Sequence, residues 1–287
     1  MRCHEGRAVL ITGAASGIGE ACAVRLAAMG YTVFGTYLTP EEGEAMRAAA
    51  RQNVVPLPLD ITDPRAISEA ARVISEATGE AGLSGLINNA GIDMPGPLEF
   101  LPIDSLRYQL NVNVIGQVAI TQVLLPLIRK GRGRIVMIGS IDGRAVTPFQ
   151  GAYGASKHAL EAISDALRME VRPWGIDVSV VEPGDIATPI WEKSLARADE
   201  LLARLPRAAH DLYGPMMKAA RATAVKMSTK ASPPEIVVKA VVHALTARRP
   251  RVRYLVGTDA RIRLALELLP TRWVDRLILG FIASGGK

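Results

Sequence analysis

Thr12-Gly13-Ala14-Ala15-Ser16-Gly17-Ile18-Gly19 follows a short apolar run, Ala8 to Ile11, and opens a helical pattern. A glycine turn between a strand and a helix brings free backbone N–H groups and the positive end of the helix dipole to one point, where a pyrophosphate can be held. The spacing is G-x3-G-x-G. It differs from the G-x-G-x-x-G fingerprint and lacks the Lys-Ser/Thr of a P-loop. Alone, it also suits a tight turn packed with small residues. Its surroundings decide between the two.

Outward from this turn, short β-branched runs alternate with longer helical patterns. Strands are expected at 8–12, 32–37, 54–59, 85–88, 134–139, 177–181 and 253–256, and helices at 17–29, 41–51, 64–77, 103–129, 152–171 and 234–248. This alternation predicts an α/β fold of Rossmann type, a doubly wound parallel sheet of about seven strands with helices on both faces. Runs such as VLI and IVMI are apolar throughout, as strands covered on both faces require. Asp63-Pro64 and Ser232-Pro233-Pro234 read as helix starts, Gly30 and Gly131 as stops. Residues 1–287 read as one dinucleotide-binding domain. Residues 190–230, rich in Ala, Arg, Lys and Met, read as an inserted helical lobe covering the substrate.

Composition narrows the class. The 287 residues are 49% hydrophobic and 22% charged, enough for a large core and incompatible with disorder. Thirty-four Lys and Arg against 28 Asp and Glu give +6, which suits an anionic partner. The basic residues are dispersed and not interleaved with aromatics, so nucleic acid is not expected. Cys3 and Cys22 fit neither a disulfide framework nor a zinc spacing. His4, His158, His210 and His243 are scattered, and no metal site is expected. The four-residue apolar core at the N-terminus is too short for a secretory signal. No window holds 18 uninterrupted apolar residues. A cytoplasmic protein is expected. Residues 260–287 form an amphipathic tail around Pro270, with arginines between its apolar positions. It would dock on the core or a partner subunit, or make peripheral contact with a membrane surface.

Tyr153 and Lys157 stand four apart in a helical run, so their side chains share a face. A free phenol has a pKa of about 10, and making it a base at neutral pH requires about 4 kcal/mol. A neighbouring ammonium and an oxidised nicotinamide would supply it. A bare YxxxK is commonly a surface aromatic beside a solvated lysine, and context argues otherwise here. Ser140 ends the strand RIVMIG at the sheet edge where open α/β folds bind ligands. Asn88-Asn89-Ala90-Gly91 ends the fourth strand at that same edge, and Asn113 interrupts the helical run QLNVNVIGQ. No G-x-S-x-G elbow surrounds Ser140 or Ser156, which argues against a hydrolase.

TGAASGIG, NNAG, Asn113, Ser140, YGASK and Pro183-Gly184-Asp185-Ile186-Ala187-Thr188, in this order across about residues 7–190, resemble the short-chain dehydrogenase/reductase family. LTPEEGEAMR and VVEPG are similar to its retinol and hydroxysteroid dehydrogenase branch. The resemblance implies that Gly13, Ser16, Gly17, Ile18 and Gly19 form the pyrophosphate turn. Asp60, followed by Ile61, would bind adenine, while Asn88, Ala90 and Gly91 would belong to the segment that runs beneath the adenosine ribose and steadies the central strand. Pro183, Gly184, Ile186 and Thr188 would fix the nicotinamide. Tyr153 would be the general acid/base, Lys157 would bind the nicotinamide ribose, Ser140 would polarise the substrate oxygen and Asn113 would hold a relay water.

Two positions depart from the family pattern. Gly139 stands where many members have a second serine. Tyr37 and Leu38 stand where a cofactor-selecting acid or arginine is usual, leaving NAD or NADP open with a lean to NAD from the neutral loop. The expectation is an NAD(P)-dependent oxidoreductase interconverting a small hydrophobic secondary alcohol and ketone, steroid- or retinoid-like, assembled as a homodimer or homotetramer. Met94, Ile141, Phe149, Ile190 and Trp191 are expected at the substrate. The alternative is a catalytically silent dinucleotide-binding regulatory protein of the same fold.

Overall fold

The computed structural model describes residues 7–49 and 51–286; Cys3 and His4 lie outside them. Seven strands pair in parallel: β1 (Ala8–Ile11), β2 (Thr32–Tyr37), β3 (Val54–Pro58), β4 (Gly85–Asn88), β5 (Arg134–Ile138), β6 (Val178–Pro183) and β7 (Arg253–Val256). Their order is β3-β2-β1-β4-β5-β6-β7, so the winding reverses between β1 and β4. The expected doubly wound sheet is present, and its ligand crevice falls at the carboxyl ends of those two strands.

Helices α1 (Gly17–Ala28), α2 (Pro40–Ala48) and α3 (Pro64–Thr78) follow β1, β2 and β3 in turn. Helices α4 (Ile103–Leu110) and α5 (Gln117–Lys130) follow β4, and α6 (Gly151–Glu170) follows β5. Between β6 and β7 come α7 (Ile190–Arg204), α8 (Arg207–Lys230) and α9 (Glu235–Thr246). After β7 come α10 (Thr258–Leu266) and α11 (Thr271–Ala283). Strand residues alternate between two cores. Leu10, Phe34, Leu86, Ile135 and Met137 pack with Ile67 and Ile74 of α3 and Ile120, Leu124 and Ile128 of α5. Val9, Ile11, Val33, Ile87 and Val136 pack with Cys22 and Leu26 of α1 and Val237 and Val241 of α9. Burial pushes the Cys22 thiol up to about 12, so it acts as a small apolar side chain.

Three of the differences from the sequence reading have a visible local cause. The sixth strand runs two residues further, because Glu182 and Pro183 pair with Leu255 and Val256. Helix α2 starts at Pro40 under a capping box of Thr39 and Glu42 and ends at Ala48, three residues short of the expected 51. The helix expected at 103–129 contains a π-helical turn at Asn111–Gly116 between α4 and α5. This combined helix is long and apolar enough to cross a membrane by composition, but Ile120, Leu124 and Ile128 of α5 are fully buried in the core.

The inserted lobe consists of α7 and α8. Its two ends are tied together where Ala187 N–H donates to Ser232 O (2.8 Å) and Ser232 N–H to Asp185 O (2.9 Å). Pro270 divides the tail into α10 and α11. Helix α11 packs on α8, and α10 packs on β7 and on the turn after β5.

Candidate active site

A single cavity of about 870 Å³ runs from the glycine turn, across the carboxyl ends of the strands, to α8 and α11. Gly13, Ser16, Gly17, Ile18, Tyr37, Asp60, Ile61, Ala90 and Gly91 line its first half. Ser140, Tyr153, Lys157, Pro183, Gly184, Ile186 and Thr188 line its middle. The outer walls are apolar and come from Phe149, Ile190, Trp191, Met217, Ile262 and Leu277.

The turn is built as a cradle. Gly13 and Gly17 adopt φ of +64° and +58°, which L side chains rarely adopt. A Cβ on Gly17 would press on Thr188, and one on Gly19 would collide with the Gly13 carbonyl and the Asn89 amide. Gly19 does not line the cavity; it allows α1 to pack closely enough for its N-terminus to face inward. Ser16 at that N-terminus makes no side-chain cap bond, so the first turn of α1 presents backbone donors to the cavity. A dinucleotide pyrophosphate fits this geometry.

The NNAG segment divides between its residues the two roles that the resemblance implies, Ala90 and Gly91 lining the cavity and Asn88 steadying the strand. Asn88 is buried away from the cavity, where its amide donates to Thr121 Oγ1 (2.8 Å) and Met137 Sδ (3.1 Å). Asn89, which the sequence reading did not single out, donates to the carbonyls of Thr12 and Gly13 (2.9 Å each) and so sets the glycine turn. Thr12 Oγ1 accepts from the N–H groups of Asn89 and Ala90.

Asn113 is fully buried and does not line the cavity. Its amide donates to Ile92 O (2.9 Å) and Ser156 Oγ (3.0 Å), and its oxygen accepts from Ile92 N–H (2.8 Å). Gln109 binds the same loop at Met94 N–H and Ile92 O, and Gln117 donates to Ala90 O. Three amides at four-residue intervals thus hold residues 90–94 beside the catalytic edge. Sequence reasoning found the central one only.

Lys157 is buried in α6, and its ammonium donates to Ile138 O (2.8 Å) while lying 5.6 Å from the Tyr153 ring centroid. Burial lowers its pKa to about 8, partly opposed by the carboxylates of Glu161 and Asp142. Burial raises the Tyr153 phenol; Asp142 and Asp93 raise it further, and a hydrogen bond with Ser140 works the other way. Ser140 Oγ accepts from Asp142 N–H (3.1 Å). Gly139 has no room for a serine in place, since a Cβ there would stand 2.9 Å from Val180 Cγ1.

Asp142 is in turn held by Arg263 from α10 at 2.5 Å. Arg263 is 121 residues away in sequence, and no local signal marks it. Asp259, also from α10, accepts from Asp185 N–H (2.6 Å) and fills the space a side chain at Gly184 would need. Of the substrate-side residues expected, Phe149, Ile190 and Trp191 line the cavity. Met94 and Ile141 do not: Ile141 is buried with Ala145 and Ala260 beneath α10. His158 is exposed, with Nδ1 3.0 Å from Gly154 O. Among the described residues, no three His, Cys, Asp or Glu side chains gather to hold a metal.

This geometry has close counterparts. Residues 7–199 match the family model of short chain dehydrogenases. Over 280 residues the chain is 38% identical to retinol dehydrogenase 5 of Mus musculus, covering 94% of this chain and 87% of that protein. It is 34% identical over 285 residues to an NADPH-dependent 3-dehydrocapnine reductase of Ornithobacterium rhinotracheale, covering 94% and 95%. A crystal structure of a short-chain dehydrogenase from Streptomyces avermitilis superposes with a TM-score of 0.76 at 27% identity, covering 99% of both chains. The chain belongs to the short-chain dehydrogenase/reductase family. Its likeness to retinol and hydroxysteroid dehydrogenases holds across nearly the whole chain, and it is an NAD(P)-dependent oxidoreductase.

Proposed function

We propose that this oxidoreductase interconverts a secondary alcohol and a ketone on a hydrophobic, steroid- or retinoid-like substrate, with Tyr153 moving the proton. The observation that carries the reading is the continuous cavity. It joins a glycine cradle at one end to apolar helices at the other, with Ser140, Tyr153 and Lys157 between them.

A nicotinamide dinucleotide, when bound, donates or accepts the hydride. Gly13, Gly17 and the N-terminus of α1 would hold its pyrophosphate, Asp60 its adenine, and Pro183 to Thr188 its nicotinamide end. Ser140 Oγ would donate to the substrate oxygen and polarise it. In reduction, Tyr153 gives its proton to that oxygen; in oxidation, it takes the proton away. Burial alone opposes the second role, because it favours the neutral phenol. The Lys157 ammonium, 5.6 Å from the ring and largely protonated at neutral pH with a pKa of about 8, and the Arg263 guanidinium are the positive charges this chain supplies to offset it. Asn113 positions Ser156 and the loop at 90–94. The apolar lobe excludes water and selects the substrate by shape.

NAD is the cofactor this reading favours. Glu42 lines the cavity beside Tyr37 and Leu38, accepting from Leu38 N–H at 2.9 Å, so its carboxylate would repel a 2′-phosphate nearby. Two cations are close but engaged: Arg47 donates to the Tyr37 hydroxyl (2.6 Å), and Lys193 lies 3.8 Å from Glu42. The NADPH dependence named for the relative above is the contrary precedent. The test of the whole reading is absorbance at the reduced-nicotinamide band with steroid and retinoid ketones and alcohols, run with both cofactors. Absence of turnover with every pair would overturn it.

A further inference from the structure

Asp93 sits in the loop after β4, at the join between the catalytic edge and the helical lobe. It lines the cavity with Tyr153 and Ser140, and it is more than nine-tenths buried. One carboxylate oxygen, Oδ2, accepts from Ser194 Oγ of α7 (2.5 Å) and Gln150 Nε2 (3.2 Å). The other, Oδ1, is buried and has no hydrogen-bond partner among the described residues. Gln150 Oε1 is likewise buried and unpartnered, and Gln150 also lines the cavity.

The loop preceding Gln150 is held under strain. Phe149, a non-glycine residue, adopts φ +69°, and its carbonyl accepts from Gly96 N–H (2.9 Å). Strain of this kind persists where surrounding structure imposes it, commonly at ligand sites. A carboxylate whose only task was to tie α7 to the loop would need Oδ2 alone. Leaving a second buried acceptor unmet is costly, a cost that a ligand's donor removes.

We propose that Asp93, supported by Gln150, forms a polar subsite for a hydrogen-bond donor, an ammonium or a hydroxyl, carried by the substrate near its reacting carbon. The proposal rests on the alcohol–ketone reading and names its substrate further: an apolar body for the lobe, with a donor group next to the carbonyl. Burial and the nearby Asp142 push the Asp93 carboxyl up to about 6, while Ser194, Gln150 and Arg197 oppose this; at neutral pH it is mostly the carboxylate that a donor needs. The groups facing it are Asp142, Tyr153, Arg197, Ser194 and Gln150.

The experiment uses the full chain and three long-chain ketones matched in length: one bare, one with an α-hydroxyl and one with an α-amino group. Wild type should show kcat/KM at least tenfold higher for a donor-bearing ketone than for the bare one. Asp93→Leu should abolish that preference, chiefly through KM, bringing the donor-bearing ketones down to the bare ketone measured in the same variant. Asp93→Asn separates the donors: it should lose the amine preference if the ligand is an ammonium, and keep a hydroxyl preference through its remaining acceptor. Ser194→Ala, which cuts the tie to α7 and leaves the carboxylate, should keep the preference. Equal preference in wild type, or an equal loss on all three ketones in Asp93→Leu, would overturn the subsite. Thermal shifts given by matched alkylamines, alkanols and alkanes read the subsite without turnover. An Asp93-dependent shift in an inactive enzyme would sink the reaction and leave the subsite, whereas activity without any such shift would sink the subsite alone.

Discussion

Tyr153 is desolvated and flanked by the carboxylates of Asp142 and Asp93, so the fold raises the acidity barrier that catalysis in the oxidative direction must lower. The phenol suits proton donation as it stands, and Lys157 matters most when it must be ionised. Tyr153→Phe should therefore keep dinucleotide affinity, read by quenching of protein fluorescence, and lose at least about 10²-fold in turnover, the usual weight of a general acid/base. A variant with the wild-type rate would remove the mechanism. Lys157 sets a pH limit. Its pKa is lowered to about 8, so the ammonium is present below that value and lost above it. Alcohol-oxidation kcat/KM should climb with pH up to about pH 8, as the phenol loses its proton, and level off above it, where the ammonium is lost. At this scale the sequence displayed what recurs at fixed spacing: the glycines, Ser140, Tyr153 and Lys157. It could not display Arg263 or Asp142, because an ion pair spanning 121 residues has no spacing to read. The cofactor end tests a residue of that less legible kind. Removing the Glu42 charge relieves a repulsion of order 1 kcal/mol, so Glu42→Gln should raise the NADP/NAD ratio of kcat/KM about fivefold.

Among the elements, the helix from α4 through α5 shows where pattern and packing part. Its apolar periodicity predicts a helix correctly, but periodicity carries no sign of the π turn at Asn111–Gly116. That turn is a local widening, of the kind often found at functional sites. Gln109, Asn113 and Gln117 look like polar interruptions of an apolar helix when read as sequence; in the fold they supply the hydrogen bonds that residues 90–94 would otherwise lack. Asn113→Ala leaves the Ile92 N–H without its partner, while Ile92 O keeps the Gln109 amide. An unmet buried group costs about 1–3 kcal/mol, and chemical denaturation should show a loss of that size. If Asn113 acts by positioning, kcat should drop as well, because the loop carrying Asp93 loses its anchor. An unchanged denaturation midpoint would show that the amide bonds contribute nothing net. The strands were more legible than this helix, since a doubly covered parallel strand must be apolar throughout. The ends of β6 and α2 moved where pairing with β7 and a capping box outweighed composition, and β1, β3, β5 and α9 end one or two residues early.

For the whole molecule, the sheet and its crevice follow from alternation along the chain, while the outer wall of the cavity depends on how α7, α8, α10 and α11 pack together, which alternation does not encode. Helix α11 turns Val274 and Ile282 inward, where they are buried, and Val274, Leu277, Ile278, Phe281 and Ile282 all line the cavity. Trp273, Leu277 and Phe281, four residues apart, form a stripe that is 44% to 61% exposed, continued on α10 by Ile262 and beyond it by Leu268. Arg261, Arg272 and Arg276 are exposed on the same two helices. Apolar side chains interspersed with arginines suit the headgroup region of an anionic bilayer, with attraction of about 1 kcal/mol per basic residue near the surface. We propose that this face rests on such a membrane, placing the apolar end of the cavity beside the phase where a hydrophobic substrate dissolves. Wild-type protein should co-sediment with vesicles containing anionic lipid and release as salt rises. A Trp273→Glu, Phe281→Glu double variant, which alters exposed positions, should stay in the supernatant while keeping its thermal midpoint within a few degrees. Wild-type protein that remains in the supernatant and elutes as a dimer, reduced to a monomer by the same two substitutions, would assign the stripe to a second copy of the chain and overturn the membrane reading.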